Sequence, residues 1–119
     1  MRGAYRGNTI RYMLNYAGVD YEEKTYIAGS GDWNEQKAAL GLDFTNLPYL
    51  IDGDLKLTET AAIQQYIASK YKPELMGSTA SEIASASRLL YVVSERMFEG
   101  FKKMMSLEDR DAMAEIIHE

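Results

Sequence analysis

The sequence predicts an α/β unit followed by an all-α one. Three observations carry this reading. Helical periodicity alternates with strand-like runs up to about residue 72; the stretch PYLIDGDLKLT sets a tight-turn signal between two strand patterns; and from Ser78 onward only three- and four-residue apolar spacing remains. The expected division is an α/β domain over 1–72, a linker over 73–79 and a partial helical domain over 80–119. With 119 residues, 46% hydrophobic and 26% charged, the chain falls in the range of an ordinary globular domain.

The elements follow in order. In NTIRYMLNYAG, Ile10, Met13, Leu14 and Ala17 share a helix face, Asn8 or Thr9 is placed to cap its start, and Gly18 to stop it. DYEEKTYI, Asp20 to Ile27, has the Tyr and Thr content of a strand. AGSGD reads as a loop, and DWNEQKAALG as a short helix closed by Gly41. Pro48 to Thr58 reads as an antiparallel hairpin turning at Asp52-Gly53-Asp54. ETAAIQQYIASKY continues as a helix with Thr58 or Glu59 near its N-cap and Ala61, Ala62, Ile63, Tyr66 and Ile67 on its buried face. Ser78 to Met105 reads as one long helix with an apolar stripe through Ile83, Ala86, Leu90, Val93, Met97, Phe101 and Met104, and LEDRDAMAEII as a short final helix.

Several function classes are disfavoured. A net charge of -5 with no Lys/Arg run speaks against nucleic acid. With no cysteine there is no thiolate nucleophile or ligand, and the lone His118 reads as a solvated tail residue, so no metal is expected. No apolar run reaches the roughly 18 residues of a membrane span. No leader is recognisable either, and the expectation is an intracellular protein, cytoplasmic by default, with an organelle assembly as the other possibility.

Trp33, Lys37, LGLDFTNLPYLIDG, KLTET and AIQQYIA occur in an order and spacing that resembles the glutathione-binding domain of glutathione transferases. The mu class is most similar, with the sigma class and relatives next, and RYMLNYAGVDYEEK fits the family's first helix and second strand. The resemblance covers Ile10 to about Ala68. It implies an α/β thioredoxin-like domain, followed by the start of the family's all-α C-terminal domain. It also implies a glutathione site. In the family the proline corresponding to Pro48 is cis, and Leu47 before it presents N–H and C=O groups to the cysteinyl unit, with Asn46 beside it. Thr60 at the helix start takes the γ-glutamyl carboxylate, because a helix N-terminus offers free N–H groups and a favourable dipole. Glu59 meets the α-ammonium, where the mu class usually has Gln. Trp33 and Lys37, four residues apart, reach the glycyl carboxylate. Taken singly, each residue has a plainer reading: Trp33 as packing, Lys37 as a solvated charge, Pro48 as a strand starter, Thr60 as a cap. Their joint spacing favours one pocket.

The resemblance also raises two expectations of absence. The family's first strand ends near a catalytic Tyr, Ser or Cys, and by alignment that strand falls before Met1. Arg2-Gly3 or Arg6-Gly7 stands where the family's Arg-Gly opens the first helix. Tyr5 is the nearby hydroxyl, placed one to two turns late. Without the first strand, DYEEKTYI would lack a partner and buried backbone groups would be orphaned, each costing about 1–3 kcal/mol. The helical domain is likewise partial, so its apolar stripe calls for a homodimer partner or a larger complex. Two functions compete: a transferase that joins the glutathione thiolate to electrophiles, and a non-catalytic subunit of a larger assembly. A glutathione-binding module without chemistry is a third.

Overall fold

A computed structural model describes residues 5–27 and 30–106. The first helix, α1 (Tyr5–Ala17), ends where Gly18 takes φ +69°. There the Gly18 N–H donates to the Asn15 carbonyl at 3.1 Å and the Val19 N–H to the Leu14 carbonyl at 3.0 Å. This is the paired closure of a left-handed helix terminus, and glycine suits it because it has no Cβ to clash. The start differs from expectation. Asn8 and Thr9 lie inside the helix, not at its cap: the Thr9 hydroxyl donates to the Arg6 carbonyl at 3.3 Å, and Asn8 Oδ1 accepts from Arg11 at 2.9 Å. Their side chains are satisfied within the turn, so the helix runs through them.

A second correction concerns Asp20 to Ile27, which forms no strand. The only sheet among the described residues is a two-stranded one, so this segment has no ladder to join. Its residues are exposed apart from half-buried Tyr26. Since the segment is not buried, the expected cost of orphaned buried groups does not arise. Side chains hold it instead, through an Arg11–Glu23 ion pair and a Tyr26–Tyr49 hydroxyl contact.

The short helix α2 (Asp32–Gln36) passes directly into a 3-10 turn, Lys37–Leu40, and stops at Gly41 with φ +62°, as its sequence predicted. The hairpin is also as expected. Strands β1 (Tyr49–Asp52) and β2 (Leu55–Thr58) pair antiparallel from Tyr49↔Thr58 to Asp52↔Leu55, and Gly53 opens the two-residue loop at φ +60°. Lys56 Nζ donates to the Leu40 carbonyl at 2.7 Å and so ties the end of the 3-10 turn to the hairpin.

Helix α3 (Thr60–Tyr71) follows without a break, with Glu59 as N-cap. The core forms between α1 and α3: Ile10, Leu14, Ile63 and Ile67 are buried together, with Met13, Leu50, Leu57 and Tyr66 packed around them. The expected α3 face needs one change. Ala62 is exposed, and Gln64 and Ala68 are buried in its place, because the 3.6-residue repeat that carries Ile63 and Ile67 inward carries their next neighbours too. Beyond a 3-10 turn at Pro73–Leu75, α4 (Ala80–Ser106) runs for 27 residues. It meets α3 through a Gln65–Ser87 hydrogen bond of 3.1 Å and meets α1 where the Arg6 guanidinium sits 4.1 Å over the Phe98 ring. The expected stripe is largely outward: Ile83, Val93 and Met97 are exposed, while Ala86 and Leu90 are half-buried. The side chains of Phe101 and Met104, the final helix and His118 lie outside the described part of the structure.

Candidate functional site

The hairpin brings the two halves of the site's near end together. Tyr49 and Thr58 are cross-strand partners, so the residues that precede β1 and those that follow β2 emerge side by side. Asn46, Leu47 and Pro48 come from one side and Glu59 and Thr60 from the other. The Leu47–Pro48 peptide is cis. Asn46 joins the two sides: its Nδ2 donates to Glu59 Oε1 at 3.3 Å, while its Oδ1 accepts the Leu47 N–H at 2.9 Å. Glu59 adopts φ +67°, a left-handed value uncommon for a non-glycine residue and found disproportionately at functional sites.

Thr60 is the first residue of α3. Its hydroxyl oxygen is buried and has no hydrogen-bond partner. A buried hydroxyl normally has one, because desolvation without compensation costs about 1–3 kcal/mol. Here the hydroxyl lies at the start of a twelve-residue helix, where unpaired N–H groups and the positive end of the dipole converge. The site suits a carboxylate, which accepts hydrogen bonds and carries the complementary charge.

The far end is aromatic. Trp33, on α2, stacks on Tyr49 with centroids 6.1 Å apart and planes 17° from parallel. Tyr26 meets Trp33 edge-on at 5.2 Å and 70°, and the Tyr26 and Tyr49 hydroxyls lie 3.0 Å apart. Burial first, and then the bond to Tyr26, push the Tyr49 hydroxyl up to about 12, so it stays protonated at neutral pH. The structure thus links Trp33 to the near end through Tyr49. Lys37 is placed differently: its Nζ donates to Asn34 Oδ1 at 3.0 Å, within its own helical turn. Tyr5 is the first residue of α1, and its side chain lies outside the described part of the structure.

Other polar groups are engaged elsewhere. Asp52 accepts from Lys70 and from the Tyr66 hydroxyl at 2.8 Å, which holds its carboxyl below the usual range and pins the hairpin tip to α3. The hollow beside it, lined by Leu14, Val19, Tyr21 and Leu50 among others, holds only 80 Å³, well short of the roughly 300 Å³ at which small-molecule sites begin. Among the described residues, no group of His, Cys, Asp and Glu is arranged to hold a metal ion, and no helix is long and apolar enough to cross a membrane.

Comparison with known proteins identifies the family. The sequence description of the glutathione S-transferase N-terminal domain matches residues 1–69, more than half of the chain. The chain belongs to the glutathione S-transferase family. Over 80 residues it is 49% identical to the class-mu 26 kDa glutathione S-transferase isozyme of Schistosoma mansoni, covering 66% of this chain and 40% of that one. It is 47% identical over 81 residues to glutathione S-transferase Mu 4 of Mus musculus, covering 63% of this chain and 36% of the relative. The chain therefore spans about two fifths of the length of these relatives. Among solved structures, that of a major nematode-specific GST of C. elegans superposes with a TM-score of 0.71 at 26% identity, covering 94% of this chain and 54% of the other. The family's thioredoxin-like N-terminal domain is thus present, with a two-stranded sheet among the described residues, and the position of α4 is consistent with the start of the helical C-terminal domain.

Two features of this transferase domain escaped sequence reasoning. Tyr26 and Tyr49 were read only as strand residues, and nothing in a two-residue alternation signals that rings 23 positions apart will meet. Gln64 was passed over as a polar position inside an apolar run. Its Oε1 is, among the described residues, the other buried side-chain oxygen without a partner, one turn beyond Thr60. The spacing of Thr60, Ile63, Gln64 and Ile67 was the available signal.

Proposed function

We propose that this chain binds glutathione between the start of α3 and the Trp33 ring, as the thiol-binding part of a glutathione transferase. The partnerless, buried Thr60 hydroxyl at a helix N-terminus is the observation that carries the proposal. Thr60 and the first N–H groups of α3 take the γ-glutamyl carboxylate, and Glu59, held by Asn46, meets the α-ammonium. The Leu47 backbone pairs with the cysteinyl unit as one strand pairs with another, which requires its N–H to exchange the Asn46 oxygen for the ligand's. Trp33 and Lys37 receive the glycyl carboxylate, Lys37 by turning from Asn34. The sulfur then lies between two anchored ends, the arrangement a transferase needs to present a thiolate to an electrophile. A hydroxyl donor to that thiolate would raise its fraction at neutral pH, and Tyr5, the tyrosine nearest to where the family's catalytic residue falls by alignment, is the candidate in this sequence.

A second reading, a non-catalytic subunit within a larger assembly or homodimer, is favoured by the exposure of Leu89, Val92 and Val93 on α4 at 51–62%. Two assays separate the readings. Glutathione raises the melting temperature under both, by mass action. Conjugation of glutathione to a reactive aryl halide above the uncatalysed rate supports the transferase; binding without turnover supports the subunit. Absence of any thermal shift at millimolar glutathione defeats the proposed site.

A further inference from the structure

The backbone alone does not fix the Trp33 ring. Helix α2 is five residues long, starts after a left-handed Gly31 at φ +90°, has no side-chain cap and buries none of its residues. A single helical turn is marginal without tertiary support, because nucleation is costly. The Lys56 bond to Leu40 holds the far end of the turn that follows, and the support at the indole itself comes from two rings. Tyr49 lies nearly parallel to the indole, Tyr26 meets it edge-on, and the two tyrosine hydroxyls bond to each other, so the three rings close a triangle. Tyr49 belongs to the hairpin and pairs with Thr58, two residues before Thr60. The triangle therefore relates the indole to the helix start at the opposite end of the tripeptide.

We propose that Tyr26 and Tyr49 act as positioning residues that clamp the Trp33 indole and so set how strongly the glycyl end of glutathione is held. The inference rests on the glutathione reading above and goes beyond it by assigning selectivity for the glycyl unit to two tyrosines that pack against the indole. Offset and edge-on pairs of this kind contribute beyond simple burial. The clamp acts on one end of the ligand only, so its loss changes discrimination, not the grip at Thr60.

The test compares glutathione with γ-glutamylcysteine, which lacks the glycyl unit, by calorimetric titration of the chain and of three variants. Tyr49→Leu removes the stack; Tyr26→Leu removes the edge contact and the hydroxyl link from a position outside the sheet, so the hairpin's own strand pairing is unchanged; Tyr49→Phe keeps the ring and loses only the hydroxyl link. The wild type is expected to prefer glutathione. Both leucine variants should lose roughly three- to tenfold of that preference while their affinity for γ-glutamylcysteine stays near wild type. Tyr49→Phe should retain the preference to within about threefold. Trp33 is the only tryptophan in the sequence, so fluorescence anisotropy decay reads the indole directly, and its fast wobble should grow in both leucine variants. Equal weakening for both ligands, an unchanged preference, or an unchanged wobble overturns the clamp. A wild-type chain that binds neither ligand defeats the glutathione site itself, and that outcome is distinct from a wild type that prefers glutathione and leucine variants that keep the preference.

Discussion

At the scale of single residues, Asn46 does two jobs that no one-dimensional pattern reveals. It restrains Glu59 and occupies the Leu47 N–H. Both bonds are exposed, so Asn46→Ala should change thermal stability by less than about 1 kcal/mol, since exposed polar contacts contribute little to folding. Its effect on glutathione affinity should be larger, a loss of roughly tenfold, because Glu59 is then free to leave the position proposed to meet the ligand's ammonium. Calorimetry and a urea melt of the same variant check both numbers. Trp33, Leu47, Pro48, Glu59 and Thr60 stand out in the sequence because their order and spacing resemble a family's, and the structure sets all but Trp33 around one end of the hairpin. Lys37 was legible only as a spacing; its bond to Asn34 depends on rotamers that spacing does not fix.

At the scale of elements, boundaries set by backbone geometry were readable and those set by side-chain exchange were not. Gly18, Gly41 and Gly53 each mark a real stop or turn at positive φ. The start of α1 was misplaced because Asn8 and Thr9, typical caps, found partners inside the helix. The start of α4 shows the reverse case. The Glu82 N–H donates to the Thr79 hydroxyl at 3.2 Å, and Glu82 Oε2 accepts the Ser78 and Thr79 N–H groups at 2.7 and 3.1 Å, a reciprocal cap. These backbone bonds hold the Glu82 carboxyl below its ordinary value of 4.5. Because the folded value lies below the unfolded one, the stabilisation is complete above that ordinary value and is lost as pH falls through the lowered one. Glu82→Gln should therefore be less stable than wild type at neutral pH, and the difference should shrink as pH falls below the ordinary glutamate value and through the lowered one. Urea midpoints across that range measure it; a difference independent of pH would contradict the cap.

At the scale of the whole molecule, stability is concentrated in the α1–α3 contact. Ile63 is fully buried and Ile67 nearly so. Ile63→Ala should cost about 2–5 kcal/mol, a large part of the 5–15 kcal/mol available to a domain, and a denaturant melt should show a matching fall in midpoint. The long α4 adds length more than core: its 27 residues extend about 40 Å, and the radius of gyration of 16.7 Å exceeds the roughly 13.5 Å of a compact chain this long. The α/β-then-α order was visible in the change of period, but the outward turn of the α4 stripe was not, since periodicity shows that a face exists and not what covers it. The central claim remains the carboxylate seat at the start of α3. Calorimetric titration of glutathione into the wild type and Thr60→Val tests it most directly. Valine keeps the shape and removes the partnerless hydroxyl. The account predicts binding by the wild type and a loss of roughly ten- to a hundredfold in Thr60→Val, with little change in folding stability. Equal affinity in the two proteins would contradict it.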